Sequence, residues 1–179
     1  MKEEDKTIIL GICGSIAAYK SCELIRTLKK KNYRVVCIMT DSAQQFITPL
    51  TIQTLSCENV YTDLFSEYCS DPKHISLSKK AGIIVIAPAT ADIIARLATG
   101  RANDLLTSVV LATKKPVLIC PAMNANMWSN PLTQENVRKL INAGHKFIGP
   151  EKGELACGEE GCGRLADIEK IVIKIKQLI

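Results

Sequence analysis

The chain has 179 residues, of which 47% are hydrophobic and 23% charged, with a net charge of +5 at neutral pH. That length suits one domain with a substantial core, and that balance excludes a disordered chain. The excess positive charge sits in short lysine clusters at 29–31, 79–80 and 114–115 with no aromatic residues among them, which argues against a nucleic-acid partner.

The first six residues form a charged leader without a signal-peptide pattern. No uncharged apolar run reaches the roughly 20 residues of a membrane span. The eight cysteines, at 13, 22, 37, 57, 69, 120, 157 and 162, are scattered and include no Cys-x-x-Cys pair. Only two histidines accompany them, His74 and His145, so the spacing suggests no metal site. A cytoplasmic protein with small buried thiols is expected, with no membrane partner.

Residues 7–13 form a continuous apolar run of the kind a buried parallel strand shows. Gly14-Ser15 interrupts it, and a helical pattern begins at Ile16, with Leu24, Ile25 and Leu28 on its apolar face. Asn32 marks the turn to a second strand at 35–39, which completes a βαβ unit. The strand-to-helix turn, Gly11-x-Cys13-Gly14-Ser15, is not the dinucleotide fingerprint Gly-x-Gly-x-x-Gly. A glycine and serine at a helix start either receive a phosphate through backbone N–H groups and the hydroxyl, or the serine is an ordinary cap. Thr40-Asp41-Ser42 closes the second strand at the same sheet edge.

Periodicity weakens over residues 43–73, where a short helical piece at 52–55 and a strand at Val60-Tyr61 are expected. A short helix at 74–80 precedes the clearest strand, 83–87, and Pro88-Ala89-Thr90-Ala91-Asp92 leads from it into a helix through Ile93, Ile94 and Leu97. The turn at 100–104 opens a helix at 105–113, and a strand follows at 116–120. A further helix resumes at Thr133 and stops at Gly144, and 145–150 reads as a last short strand. A Gly/Cys-rich loop at 153–163 precedes a terminal helix with Ile168, Ile171, Ile175 and Leu178 on one face. This alternation predicts a single-domain, three-layer α/β fold, with a parallel sheet covered by helices on both faces.

The stretch Pro121-Ala122-Met123-Asn124-Ala125-Asn126-Met127-Trp128 places two asparagines, two methionines and the only tryptophan just past a strand end. Open α/β sheets bind ligands at that edge. The asparagines are either hydrogen-bonding forks or turn residues, and Met123, Met127 and Trp128 either wall a flat ring or fill the core.

Taken with His74 and its downstream Ala-Pro loop, and with residues 156–164 (Ala-Cys-Gly-Glu-Glu-Gly-Cys-Gly-Arg), this stretch resembles the homo-oligomeric flavin-containing cysteine decarboxylases from about Thr7 to the end. The resemblance implies a Rossmann- or flavodoxin-like fold and FMN as cofactor. Gly14, Ser15 and Ile16 would hold the phosphate end with Thr40 and Ser42. Thr90, Ala91, Asp92 and Ile93 would line the flavin, with Ala122 and Met123 beside it. Asn124 would hold the substrate carboxylate, with Met127, Ala156, Cys157 and Gly158 also at the substrate. His74 and Cys157 would be the catalytic pair, acting with Asn124. Residues 153–165 would form a mobile clamp over the substrate.

The resemblance also implies trimers or dodecamers with sites at subunit contacts, so that His74 acts on flavin bound by a neighbour. The implied reaction is decarboxylation of 4'-phosphopantothenoylcysteine to 4'-phosphopantetheine in coenzyme A biosynthesis. Losing CO₂ from a cysteinyl carboxylate leaves an electron pair without a sink. Oxidation of the Cβ–SH group to a thioaldehyde supplies one, an enethiolate forms, and reduction then completes the aminothiol. Histidine titrates near neutrality and suits proton transfer at such a site, and a loop thiol at Cys157 suits the final protonation. Cys162 is the alternative thiol; the family pattern does not fix its place between two glycines. Glu159-Glu160 and Leu165 depart from the commoner residues at their positions. Rival readings are a peptidyl-cysteine decarboxylase, a flavin prenyltransferase, and a non-catalytic regulatory subunit that binds protein phosphatases. No fused synthetase domain is expected, so a separate enzyme would supply the substrate.

Overall fold

Six parallel strands form the main sheet of the computed structural model, which describes residues 6–65, 72–156 and 158–179. They are β1 (Thr7–Ile12), β2 (Arg34–Met39), β3 (Val60–Tyr61), β4 (Ile83–Ala89), β5 (Val117–Pro121) and β6 (Lys146–Phe147). Their spatial order is β3-β2-β1-β4-β5-β6. The direction of winding therefore reverses between β1 and β4, which makes the crevice beyond those strand ends the topological switch point.

Strand alternation sorts the core into two halves. Ile8, Leu10 and Ile12 of β1 face one side, with Val35, Cys37, Ile83, Val85 and Leu118. Against them pack α1 (Lys20–Lys30), α3 (Pro49–Ser56) and α9 (Ile168–Leu178), through Leu24, Ile25, Leu28, Ile52, Ile171 and Ile175. Ile9 faces the other side, with Val36, Ile84, Ile86 and Ile119. That side is covered by α4 (Lys73–Lys80), α5 (Ala91–Ala98), α6 (Leu105–Ala112) and α8 (Pro131–Asn142). Both faces are buried, so the strands read as unbroken apolar runs. Each fully buried isoleucine or leucine contributes about 1.5–3 kcal/mol.

The prolines expected to end two strands do not. β4 continues through Pro88 to Ala89, and β5 runs through Pro121, with a register shift between Ile86 and Ala89. Two short helices escape the sequence pattern, α2 (Asp41–Gln44) and α7 (Ala125–Ser129).

The largest correction concerns residues 153–163, expected as a loop. Most of that stretch belongs to an antiparallel hairpin of β7 (Glu151–Glu154) and β8 (Glu160–Arg164). Glycines and charged residues give it no apolar alternation, and its order comes from docking on the segment after β5. Gly161 lies against Ala125, where an added Cβ would come within 2.6 Å of the Ala125 Cβ.

No helix of the described residues is long and apolar enough to cross a membrane. Among the described residues no metal-binding cluster occurs, and the six cysteines there form no disulfide. Burial pushes the thiols of Cys13 and Cys37 up to about 12, so both are inert core residues.

Candidate active site

Three hydroxyls gather at the switch point because three strands end in helix starts. Ser15 follows β1 and caps the 3-10 turn Ile16–Tyr19, its Oγ accepting from the Ala17 amide at 3.3 Å. Thr40 follows β2 and caps α2, its Oγ1 accepting from the Ala43 amide at 3.3 Å. Thr90 follows β4 and caps α5, accepting from the Ile93 amide at 3.3 Å. Gly14 touches Ser42 so closely that a Cβ at position 14 would collide with the Ser42 Cβ, which ties the first two turns together.

These turns enclose a cleft of about 340 Å³ lined by Gly14, Ser15, Thr40, Ser42, Thr90, Ala91 and Asp92. Ala122, Met123 and Met127 form its opposite wall. Helix starts expose partial positive charge, so this end of the cleft suits an anion. The methionine wall suits a flat apolar ring.

Arg96 also lines this cleft, a residue that the sequence pattern did not single out. Its guanidinium pairs with Asp92 at 2.8 Å on its own helix and with Asp104 at the start of α6. Asp104 also accepts from the Thr107 amide at 2.8 Å and hydroxyl at 2.7 Å. Burial pushes the Asp104 carboxyl up, but the Thr107 hydrogen bonds and the Arg96 charge outweigh it and hold the group below its ordinary value. Arg96 Nε is buried and has no partner among the described residues, an orphaned donor beside the anion end. The three helix starts and this donor fit the charged head of a nucleotide-like cofactor.

A second cleft of about 650 Å³ opens beside the first. Its lining includes Ser15, Ile16, Ala122, Met123, Asn124 and Ala156, and it shares Ser15, Ala122 and Met123 with its neighbour. Asn124 is the N-cap of α7, with Oδ1 accepting from the Asn126 amide at 2.8 Å. That bond fixes the oxygen toward the helix and identifies the amide nitrogen as the donor end. The hairpin supplies Glu154, Leu155, Gly163 and Arg164, and the first helical segment supplies Tyr19 and Lys20. Tyr19 and Lys20 were not singled out, and Glu154, Leu155, Gly163 and Arg164 fell only within the expected clamp at 153–165, because their meeting depends on how the hairpin docks.

The two readings of the Met/Trp cluster divide between them. Met123 and Met127 line the first cleft, whereas Trp128 packs on the second half of the core, its carbonyl accepting from Gln134 at 2.6 Å. Ile93 is fully buried in the core and lines neither cleft; its amide, capped by Thr90, is its only link to the site. Gly158 is exposed in a turn with φ of 82° and lines neither cleft. His74 lies half-buried in the first turn of α4 and lines neither cleft of its own chain. Cys157 lies outside the described residues. Cys162 is exposed on β8, its thiol donating to the Pro150 carbonyl at 3.4 Å.

The flavoprotein family model matches residues 1–179. The chain is 47% identical over 173 residues to the coenzyme A biosynthesis bifunctional protein CoaBC of Vibrio vulnificus, covering 96% of this chain and 43% of that protein. It is 45% identical over 177 residues to the probable phosphopantothenoylcysteine decarboxylase of Streptococcus mutans, covering 96% of this chain and 98% of that protein. The chain thus spans less than half of the bifunctional relative and nearly all of the shorter one. Among solved structures, a PPC decarboxylase mutant complexed with pantothenoylaminoethenethiol matches with a TM-score of 0.88 at 30% identity, covering 96% of both chains. The FMN-dependent cysteine decarboxylase SpaF matches with a TM-score of 0.85 at 30% identity, again over 96% of both chains.

Proposed function

The chain belongs to the flavoprotein family, and from that premise we propose that it binds FMN and decarboxylates 4'-phosphopantothenoylcysteine to 4'-phosphopantetheine, a step of coenzyme A biosynthesis. The junction of the two clefts at Ser15, Ala122 and Met123 carries this reading, because it sets a slot for an anionic ring cofactor directly against Asn124. The relatives named for this reaction and the 30% identity to a PPC decarboxylase structure support it.

Ser15, Thr40, Ser42 and the helix starts behind them would hold the FMN phosphate, while Ala122, Met123 and Met127 wall the ring. Bound there, the flavin would supply reversible two-electron redox chemistry, the oxidation and return reduction that decarboxylation of a cysteinyl thiol requires.

The chain's own residues orient and protonate. The Asn124 amide nitrogen donates to the substrate carboxylate and turns it toward the apolar wall, where water is excluded. His74, supplied by a neighbouring subunit, accepts the substrate thiol proton as the CH₂–SH group is oxidised. Cys157 delivers the proton that completes the product. The assembly is a trimer or a multiple of trimers in the cytoplasm.

Mass spectrometry of the product after incubation with 4'-phosphopantothenoylcysteine tests the reading. A product lighter by CO₂ alone supports it. Unchanged substrate on flavin-loaded protein refutes it, and turnover of a C-terminal peptidyl cysteine instead would assign the chain to peptide modification.

A further inference from the structure

The larger cleft, which Asn124 lines, also carries two cations that the decarboxylation chemistry does not use. Lys20 is half-buried at the first position of α1 and lines this cleft. No described carboxylate pairs with it. Arg164 closes the same cleft from β8. Its contact with Glu151 is long, at 3.5 Å, and Lys170 holds the same carboxylate at 2.7 Å. Its guanidinium lies over Gly153 of the facing strand, where an added Cβ would sit 3.5 Å from Cζ. Glu154 is the one acid in the lining, against two cations. Ile16, Tyr19, Leu155 and Leu165 line the same cleft, an apolar surface suited to an uncharged acyl arm.

We propose that Lys20 and Arg164 form the subsite for the phosphate at the far end of the acyl-cysteine substrate, and thereby set the preference for phosphorylated over unphosphorylated acyl-cysteines. This rests on the decarboxylase reading above. A planar guanidinium from β8 and a compact ammonium from α1 in one cleft give a dianion both a bidentate partner and a point charge. The cofactor phosphate is served separately, because neither cation lines the smaller cleft.

The test compares kcat/KM for 4'-phosphopantothenoylcysteine and pantothenoylcysteine in the wild type, Lys20→Gln, Arg164→Gln and Arg164→Lys. The wild type should prefer the phosphorylated substrate. Each glutamine variant should lower that preference about ten- to a hundredfold, as expected for one lost charged hydrogen bond, through KM rather than kcat. Arg164→Lys should keep part of it. Equal losses for both substrates overturn the proposal, as does a wild type without preference. A variant that loses affinity for FMN but not for riboflavin also overturns it, by assigning the cation to the cofactor. A wild type that decarboxylates neither substrate fails the decarboxylase reading before any variant is made, and the proposal falls with it.

Discussion

The Met123 amide donates to the Gly163 carbonyl at 3.0 Å, and Gly163 faces Met123 so closely that a Cβ there would collide with the Met123 carbonyl oxygen. The hairpin and the loop that carries Asn124 are thus one rigid unit, joined at a position where only hydrogen fits.

Gly163→Ala should push the hairpin off that loop. Overpacking against backbone costs about 1–3 kcal/mol, and a domain of this size loses about 2–4 °C in Tm per kcal/mol. The expected outcome is a lower Tm and at least a tenfold fall in kcat/KM, with flavin absorbance retained. Calorimetry and steady-state kinetics on one preparation check it.

Thr90→Ala should remove one cap, at a cost of about 1 kcal/mol. The same change should weaken FMN more than riboflavin, because the lost hydroxyl borders the anion end of the smaller cleft. Fluorescence titration with the two flavins reads the difference, and equal weakening would leave Thr90 a cap alone.

Arg96→Gln tests the pair with Asp104 through pH. The Asp104 carboxyl is held below its ordinary value, so its stabilising contribution is present above the unfolded value and is lost as pH falls through the folded one. The variant should therefore be less stable than the wild type at neutral pH. The gap should close as both proteins are taken down through and below the ordinary carboxylate range. Urea midpoints across that range measure it, and a constant gap would exclude the linkage.

His74→Asn and Asn124→Asp should each be inactive yet bind flavin. Because His74 lines neither cleft of its own chain, co-expressing the two variants should restore activity in mixed oligomers at a level set by random mixing. Mixtures as dead as either parent would place both residues in one chain's site.

Cys157→Ser should still release CO₂ but accumulate a product missing two further hydrogens. High-resolution mass spectrometry separates this species from the thiol, and a full yield of thiol would transfer the protonation to another group.

Strands such as 7–13 and 83–87 were plain in the sequence because a sheet buried on both faces admits apolar residues at every position. Ser15 was legible as one of two readings of its turn, and Thr90 stood between a strand and a helix, whereas the short helix that Thr40 caps was not legible. The hairpin was not, because Glu151–Glu154 and Glu160–Arg164 alternate in neither hydrophobicity nor size and owe their order to the surface beneath them. Arg96 was hidden for a related reason. Its importance lies in bridging Asp92 and Asp104 across a helix end, and no periodicity marks a bridge. Lys20 carried no sequence signal of its own, and only the cleft that it shares with Arg164 gives it a place.

Each of the three cap hydroxyls accepts from an amide of its own helix. A hydroxyl whose lone pair is so committed still has its proton to give. The rim of the smaller cleft is therefore a ring of givers. A group rich in lone pairs and without protons of its own, such as a phosphate, finds three hydroxyl protons there. The bonds that stop three loops and start three helices thus leave three hydroxyl protons for whatever enters.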